Sequence, residues 1–140
     1  MNILLAVDGS PYTQKMLDYL VSHPTLFGPE HRYTVLTVQL PLPSRARIAI
    51  TDEAAHAYYE DGAQQTLTPV LELLARHGLS ASPEHKVGTP GETIADVARS
   101  GGFDLLLMGS HGHSALGNLV MGSVATQVLA HCQVPVLLVR

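Results

Sequence analysis

Residues 105–123 read LLLMGSHGHSALGNLVMGS, an unbroken apolar run followed by a glycine-rich segment. Strands that helices cover on both faces of a parallel sheet have such continuous apolar runs. A helical pattern follows, because Val124, Val128 and Cys132 recur at the spacing of one helix face. Ser123 is placed to cap that helix. The stretch therefore predicts a buried strand, a glycine-rich turn and a helix, as in a parallel βαβ unit.

Strand-like and helix-like segments alternate along the rest of the chain. The remaining strand-like segments are residues 3–7, 33–38, 81–87 and 134–139. The third of these is polar enough for the edge of a sheet. Helical patterns separate the segments, and this alternation predicts an α/β fold of three layers, with a parallel sheet between helices on both faces.

Residues that favour helix ends mark the predicted helices. Ser10 precedes a proline and predicts an N-cap, and Gly78 predicts the end of a long helix that begins near residue 51. Thr89 and Glu92 have the spacing of a capping box. The segment Pro41–Arg47 predicts a loop or lid after the second strand.

The composition is that of one folded domain without a surface for nucleic acid. The 140 residues are 46% hydrophobic and 14% charged, and the net charge is −4. Binding to duplex nucleic acid is driven by the neutralisation of phosphates, for which an acidic chain is poorly suited. No apolar run approaches the roughly 18 residues of a membrane span, no basic leader precedes the first strand, and the single Cys132 excludes an internal disulfide. We therefore expect a single cytoplasmic domain, residues 1–140, that binds neither nucleic acid nor a membrane.

The glycine-rich segment is the strongest candidate for a ligand site. Ligands of open parallel sheets bind beyond the carboxyl ends of strands, at the point where the strand order reverses. Asp8 follows the first strand, and four of the twelve glycines lie between positions 109 and 122. Glycine permits a positive φ and close approach of backbone amides to a ligand, and a helix N-terminus attracts anions. With hydroxyl donors at Ser110, Ser114 and Ser123, the segment is suited to a polyphosphate.

Other interpretations of these residues remain open from the sequence. A glycine-rich turn can serve only to connect a strand with a helix, and this one matches neither a Walker loop nor a GxGxxG turn after a first strand. His111 and His113 lack the carboxylate or cysteine partners of a zinc site, so phosphate contact or exposure is favoured. Arg45 and Arg47 are within chain reach of a phosphate but are interpreted as solvated loop charges. A structural Asp8, bonded to the neighbouring turn, is the alternative to a ligand contact.

Two residues separate Gly109 from Gly112, nine separate Gly112 from Gly122, and Ser123 follows Gly122 directly. This spacing resembles that of the ATP-binding universal stress proteins. The opening ILLAVDGS and the ending VPVLLV extend the likeness over essentially the whole chain. The resemblance implies a five-stranded parallel sheet of order 3-2-1-4-5, of the adenine nucleotide alpha hydrolase-like type, with the reversal between strands 1 and 4.

The resemblance also implies which residues bind ATP. The backbone of residues 109–115 and the Ser123 hydroxyl would hold phosphates and ribose, and Asp8 would face the ribose or a phosphate-bound Mg²⁺. The backbone of Val38, with Ala6 nearby, would meet the adenine. The implied nucleotide-binding residues are Ala6, Asp8, Val38, Gly109, Ser110, His111, Gly112, His113, Ser114, Ala115, Gly122, Ser123, Val124 and Ala125.

The sequence thus predicts an ATP-binding regulatory or stress-response protein. It would act as a homodimer through Val134–Val139, because an uncovered apolar edge strand favours pairing with a second copy. No Ser–His–Asp arrangement can be assigned, so no catalytic residue is predicted and at most weak ATPase activity is expected. The alternatives are a slow ATP hydrolase or a nucleotide-transfer enzyme using the same site, and a dimer that binds no nucleotide. The intact glycine spacing argues against the last.

Overall fold

A computed structural model describes residues 1–113 and 120–140 of the chain. Its elements in chain order are β1 (Asn2–Ala6), α1 (Pro11–Ser22), β2 (Arg32–Gln39), α2 (Ser44–Ile48), α3 (Asp52–Arg76), β3 (Ala81–Val87), α4 (Pro90–Ser100), β4 (Leu105–Gly109), α5 (Ser123–His131) and β5 (Val136–Val139). The strands form one parallel sheet in the order β3-β2-β1-β4-β5. The predicted three-layer α/β fold and its strand order are confirmed.

The sheet has a separate apolar layer on each face, and β1 contributes to both. Ile3 and Leu5 pack on the layer of α1 and α3, whereas Leu4 and Ala6 pack on the layer of α4 and α5. Successive side chains of a strand point to opposite faces, so a strand that is covered on both sides must be apolar at every position. The continuous apolar run of β1 fits its coverage on both faces, and β1 lies at the centre of the sheet, between β2 and β4.

Two predicted helix boundaries agree with the structure. The Ser10 hydroxyl accepts a hydrogen bond from the Thr13 amide at 3.4 Å, which caps α1. Gly78 follows α3 with a φ of +74°, a conformation that glycine adopts without steric cost. The serine hydroxyl thus marks the start of α1, and the conformational freedom of glycine marks the end of α3.

Three other local predictions are wrong. Thr89 precedes α4 but its side chain makes no capping hydrogen bond. Gly122 is the N-cap of α5, so Ser123 is the first helical residue and does not cap the helix. The segment Pro41–Arg47 is not entirely a loop, because Ser44–Ile48 forms the short helix α2.

The longest helix, α3, covers the sheet beside α1 and has 25 residues. Its buried face carries Ala63, Leu67, Val70 and Leu74, and charged residues interrupt its sequence. Within residues 1–113 and 120–140, no helix combines the length and the hydropathy needed to cross a bilayer.

Candidate functional site

A cleft of about 270 Å³ opens at the carboxyl ends of β1 and β4, where the strand order reverses. This is the position at which open α/β sheets bind their ligands. Its volume is close to the lower end of the range for small-molecule sites, about 300–1,000 Å³. The residues that line it are Ala6, Val7, Asp8, Thr13, Val38, Pro90, Ile94, Met108, Gly109, His111, Gly112, His113, Gly122, Ser123, Val124 and Ala125.

All of the predicted site residues that the structure describes line this cleft, with the exception of Ser110. Ser110 is 2% exposed, and its hydroxyl lies 2.8 Å from the Nδ1 of His111, so it supports the turn from behind. Ser114 and Ala115 lie outside the described residues. The structure therefore brings together, in one cleft, predicted residues that are far apart in the sequence.

Several of the residues that line the cleft were not predicted. Pro90 and Ile94 reach the cleft from α4, whose position above the sheet follows only from the topology. Val7 and Met108 belong to predicted strands, whose apolar residues were not considered as part of the site. The position of Thr13 near Asp8 could have been predicted, because Thr13 lies in the first turn of α1, close to the residues that precede the helix.

The cleft has an apolar inner part and a polar mouth. Ala6, Ile94 and Met108 are buried and belong to the apolar layer beneath α4 and α5. Asp8 and His113, at the mouth, are exposed. An arrangement of this kind favours a ligand with one apolar part and one polar part.

Asp8 is bonded to the start of α1 and also lines the cleft. Its Oδ1 accepts hydrogen bonds from the Ser10 amide and the Thr13 hydroxyl, each at 2.9 Å. The Asp8 amide donates to the same hydroxyl at 3.0 Å. The local bonding expected of a structural aspartate is therefore present, and it coexists with exposure to the cleft.

The three spaced glycines allow close packing and do not supply unusual backbone angles. Among the described residues, positive φ occurs at Gly9, Gly78 and Gly102 and not at the spaced glycines. A Cβ on Gly109 would lie 2.7 Å from the Cβ of Tyr12, in α1. A Cβ on Gly122 would lie 3.1 Å from the Cα of His111. At both positions glycine leaves room for a neighbouring backbone that approaches closely, and the approach is tighter at Gly109.

The two histidines of the turn connect it to the α1 side of the cleft. His111 packs on the Tyr12 ring, with centroids 4.8 Å apart, and His113 Nε2 donates to the Asp8 carbonyl oxygen at 2.6 Å. Within the described parts of the chain, no three histidine, cysteine or acidic side chains are grouped so that they could hold a metal ion.

A perturbed ionisable group lies at the opposite end of the sheet. Burial, together with the Glu30 carboxylate, raises the pKa of Tyr33 to about 12. The Tyr33 hydroxyl donates to the Gly28 carbonyl oxygen at 2.9 Å. Tyr33 lies near the start of β2, away from the cleft, so the perturbation reflects packing.

The fold and the cleft together define an open parallel α/β protein with a ligand site at its switch point. The chain belongs to the universal stress protein family, whose family model matches residues 1–140. It is 32% identical over 138 residues to universal stress protein Slr1230 of Synechocystis, a match that covers 99% of this chain and 42% of Slr1230. Another Synechocystis relative, Sll1388, is 32% identical over 78 residues, 56% of this chain and 51% of Sll1388. The chain thus spans about half the length of these relatives.

Solved structures share the fold over the full length of the chain. UspA of Lactobacillus plantarum superposes with a TM-score of 0.81 at 22% identity, covering 100% of this chain and 97% of that one. MJ0577 of Methanocaldococcus jannaschii superposes with a TM-score of 0.79 at 26% identity, covering 99% and 94%. These likenesses agree with the strand order described above.

Proposed function

We propose that the chain is an ATP-binding universal stress protein with a regulatory role in the cytoplasm. The observation that carries the proposal is that Gly109, Gly112, Gly122, Ser123 and Asp8 all line one cleft at the switch point. The spacing of the three glycines and Ser123 resembles that of ATP-binding members of the family. The single cysteine of the chain is consistent with a reducing compartment.

Three proteins of the same fold are known as complexes with adenine nucleotides. They are At3g01520 of Arabidopsis thaliana with AMP (14% identity, TM-score 0.71), a universal stress protein with cAMP (16%, 0.68) and the Archaeoglobus fulgidus protein with dAMP (22%, 0.67). At these identities they establish the fold alone. They support the proposal by showing that this fold accommodates such ligands.

The apolar inner part of the cleft suits an adenine ring, and the α5 end suits phosphates. Ala6 and Ala125 belong to this apolar part, and Val38 packs against it. Gly122 provides no side-chain cap, so the amides of Ser123 and Val124 are left without a side-chain acceptor. Unpaired amides and the helix dipole together favour a phosphate group at this end.

Asp8 is suited to a ribose hydroxyl or to a cation that phosphates already hold. Mg²⁺ in nucleotide sites commonly binds one or two carboxylates together with phosphate oxygens and water. Asp8 is the acidic residue among the described lining residues. When bound, Mg²⁺ would neutralise phosphate charge next to this carboxylate.

The described geometry favours binding over catalysis. Ser110 and His111 form a hydroxyl–imidazole pair at 2.8 Å, which in other settings activates a nucleophile. The Ser110 side chain is buried and does not line the cleft, so its hydroxyl does not face the proposed ligand. The pair therefore gives no support to the alternative of an ATP hydrolase or a nucleotide-transfer enzyme.

Calorimetric titration with Mg-ATP tests the proposal, with Asp8→Ala as the variant. We expect the wild-type protein to bind ATP and Asp8→Ala to bind about tenfold more weakly, because a charge-assisted hydrogen bond or cation contact is lost. We also expect a lower Tm for ligand-free Asp8→Ala, because the bonds of Oδ1 to Ser10 and Thr13 disappear.

Asp104→Ala is the matched control for that experiment. The Asp104 carboxylate accepts a hydrogen bond from the Asn2 amide at 2.7 Å, at the other end of β1. Its loss should reduce stability and leave ATP affinity unchanged. An absence of ATP binding by the wild-type protein would contradict the proposed function, and equal affinity in Asp8→Ala would assign Asp8 a purely structural role.

We further propose that two copies pair through the edge of β5. Among the described strands, β5 pairs with β4 alone. The carbonyl oxygen of Pro135 accepts a hydrogen bond from the Leu106 amide of β4 at 2.9 Å. The carbonyl oxygen of Val139 accepts one from the Ser110 amide, just after β4, at 2.8 Å. Alternate residues of a strand point their polar groups to opposite neighbours, so the polar groups of Val136 and Leu138 face outward. Two such edges related by a two-fold axis would pair antiparallel.

Light scattering of Leu138→Pro tests this pairing. The wild-type protein should have twice the 15.0 kDa mass of the chain, and Leu138→Pro should be monomeric because proline removes an outward N–H group. Leu138→Val keeps both the N–H group and an apolar side chain, and it should remain dimeric. A wild-type mass of 15.0 kDa at micromolar concentration would overturn the proposal.

A further inference from the structure

Thr13 fixes the position of the Asp8 carboxylate through two hydrogen bonds. Its Oγ1 accepts from the Asp8 amide at 3.0 Å and donates to Asp8 Oδ1 at 2.9 Å. A hydroxyl has a single proton, so this proton is committed to Oδ1. Thr13 is only 6% exposed and belongs to the first turn of α1, so the helix holds it in place.

The two oxygens of the Asp8 carboxylate are consequently not equivalent. Oδ1 receives the Ser10 amide as well as the Thr13 hydroxyl, which fills its two lone pairs. No donor within residues 1–113 and 120–140 forms a hydrogen bond with Oδ2. This oxygen lies toward Gly112, on which a Cβ would come within 2.6 Å of it. The protein therefore holds one oxygen and leaves the other open beside a glycine in the cleft wall.

The Asp8 backbone is held as well. The Asp8 amide donates to Thr13, and the Asp8 carbonyl accepts from His113 Nε2 at 2.6 Å. With both backbone groups and Oδ1 engaged, rotation of the carboxylate would break at least two hydrogen bonds. A cation that requires both carboxylate oxygens cannot be chelated without that loss, whereas one hydroxyl donor can bind Oδ2 directly.

We propose that Thr13 is a positioning residue that presents Asp8 Oδ2 to a ribose hydroxyl, and thereby selects nucleotides with an intact ribose. This inference depends on the proposed nucleotide binding. Thr13 does not itself contact the sugar in this arrangement. It holds the acceptor in advance, so that no carboxylate ordering is needed when the ligand binds.

The test compares ATP with 2′,3′-dideoxy-ATP by calorimetry in the wild-type protein, Thr13→Val and Thr13→Ser. The wild-type protein should prefer ATP about tenfold, the size of one hydrogen bond to a charged group. Thr13→Val keeps the branched shape without the hydroxyl, so its ATP affinity should fall to that for the dideoxy compound, whose own affinity should not change. Thr13→Ser keeps the hydroxyl and should restore the preference.

The outcomes separate this inference from the proposed function. Equal weakening of both nucleotides in Thr13→Val, or an unchanged preference, would show a structural role and overturn the inference. Wild-type binding of both nucleotides with equal affinity would overturn it while leaving nucleotide binding intact. If the wild-type protein binds neither compound, the proposed function fails and the inference with it. If Thr13→Val does not fold, Thr13→Ala removes the same hydroxyl and leaves room for water at the Asp8 amide, and the same loss of preference is expected.

Discussion

Gly122→Val is expected to lower ATP affinity by well over tenfold, or more than about 1.4 kcal/mol. A Cβ at this position lies 3.1 Å from the Cα of His111 and 3.2 Å from the carbonyl oxygen of Ser110. The Gly122 amide also donates to that carbonyl at 2.7 Å. These neighbours are backbone atoms, which cannot rotate away as the end of a side chain would. The two methyl groups of valine must therefore displace the N-terminus of α5 from the cleft wall.

Calorimetry with Mg-ATP measures this loss, and Gly122→Ala is the graded control. Alanine adds the Cβ alone, and a shift of a few tenths of an ångström accommodates contacts of 3.1–3.2 Å. Its effect on affinity should therefore lie between those of glycine and valine. Circular dichroism should show that both variants retain the fold. Wild-type affinity in Gly122→Val would contradict the role of the α5 N-terminus in binding.

Gly109→Ala is expected to destabilise the protein itself, with or without nucleotide. A Cβ at this position would lie 2.7 Å from the Cβ of Tyr12 and 3.0 Å from its carbonyl oxygen. The added methyl group must push β4 and α1 apart, and overpacking of this kind costs about 1–3 kcal/mol. Thermal unfolding of the ligand-free protein should show a fall in Tm of about 2–4 °C for each kcal/mol lost.

Gly62→Ala is the matched control, since it makes the same chemical change within α3. The nearest atom to the added Cβ is the Nε2 of Gln39, the end of a side chain that can move aside. Alanine is also favoured over glycine in a helix by about 1 kcal/mol. Gly62→Ala should therefore keep or raise the Tm. If Gly109→Ala has the wild-type Tm, the close approach of β4 and α1 does not require glycine.

The sequence was sufficient for the three-layer α/β class, because a strand that is covered on both faces is apolar at successive positions. Ile3 and Leu4 face different layers and are both apolar, whereas the order of the strands was implied only by the family resemblance. Strand β5 was less well defined, since it begins at Val136 and not at Val134. Pro135 lacks an amide proton and contributes only its carbonyl to the sheet, which hydrophobicity alone does not show.

The glycine spacing indicated a segment that lines the cleft, whereas the packing around its residues could not be predicted. Gly109 lies in close contact with Tyr12, a residue about a hundred positions earlier. Ser123 was predicted to cap α5 because its residue type favours that role, but the helix begins one residue earlier than this, at Ser123 itself, with Gly122 at the N-cap. Thr13 acts through Asp8, and this pairing depends on side-chain geometry that residue type alone does not determine.

The central position of β1 affects how early in synthesis the sheet can form. Ile3 pairs with Leu105, so the middle of the sheet closes only after most of the chain has been synthesised. The cleft walls come from both ends of the sequence, and a nascent chain that lacks α5 lacks one of these walls. A ligand that binds only the finished molecule adds to its stability, by about 2.7 kcal/mol at a hundred times its Kd. If a nucleotide binds as proposed, its supply during synthesis would therefore favour completed chains over those that remain unfolded.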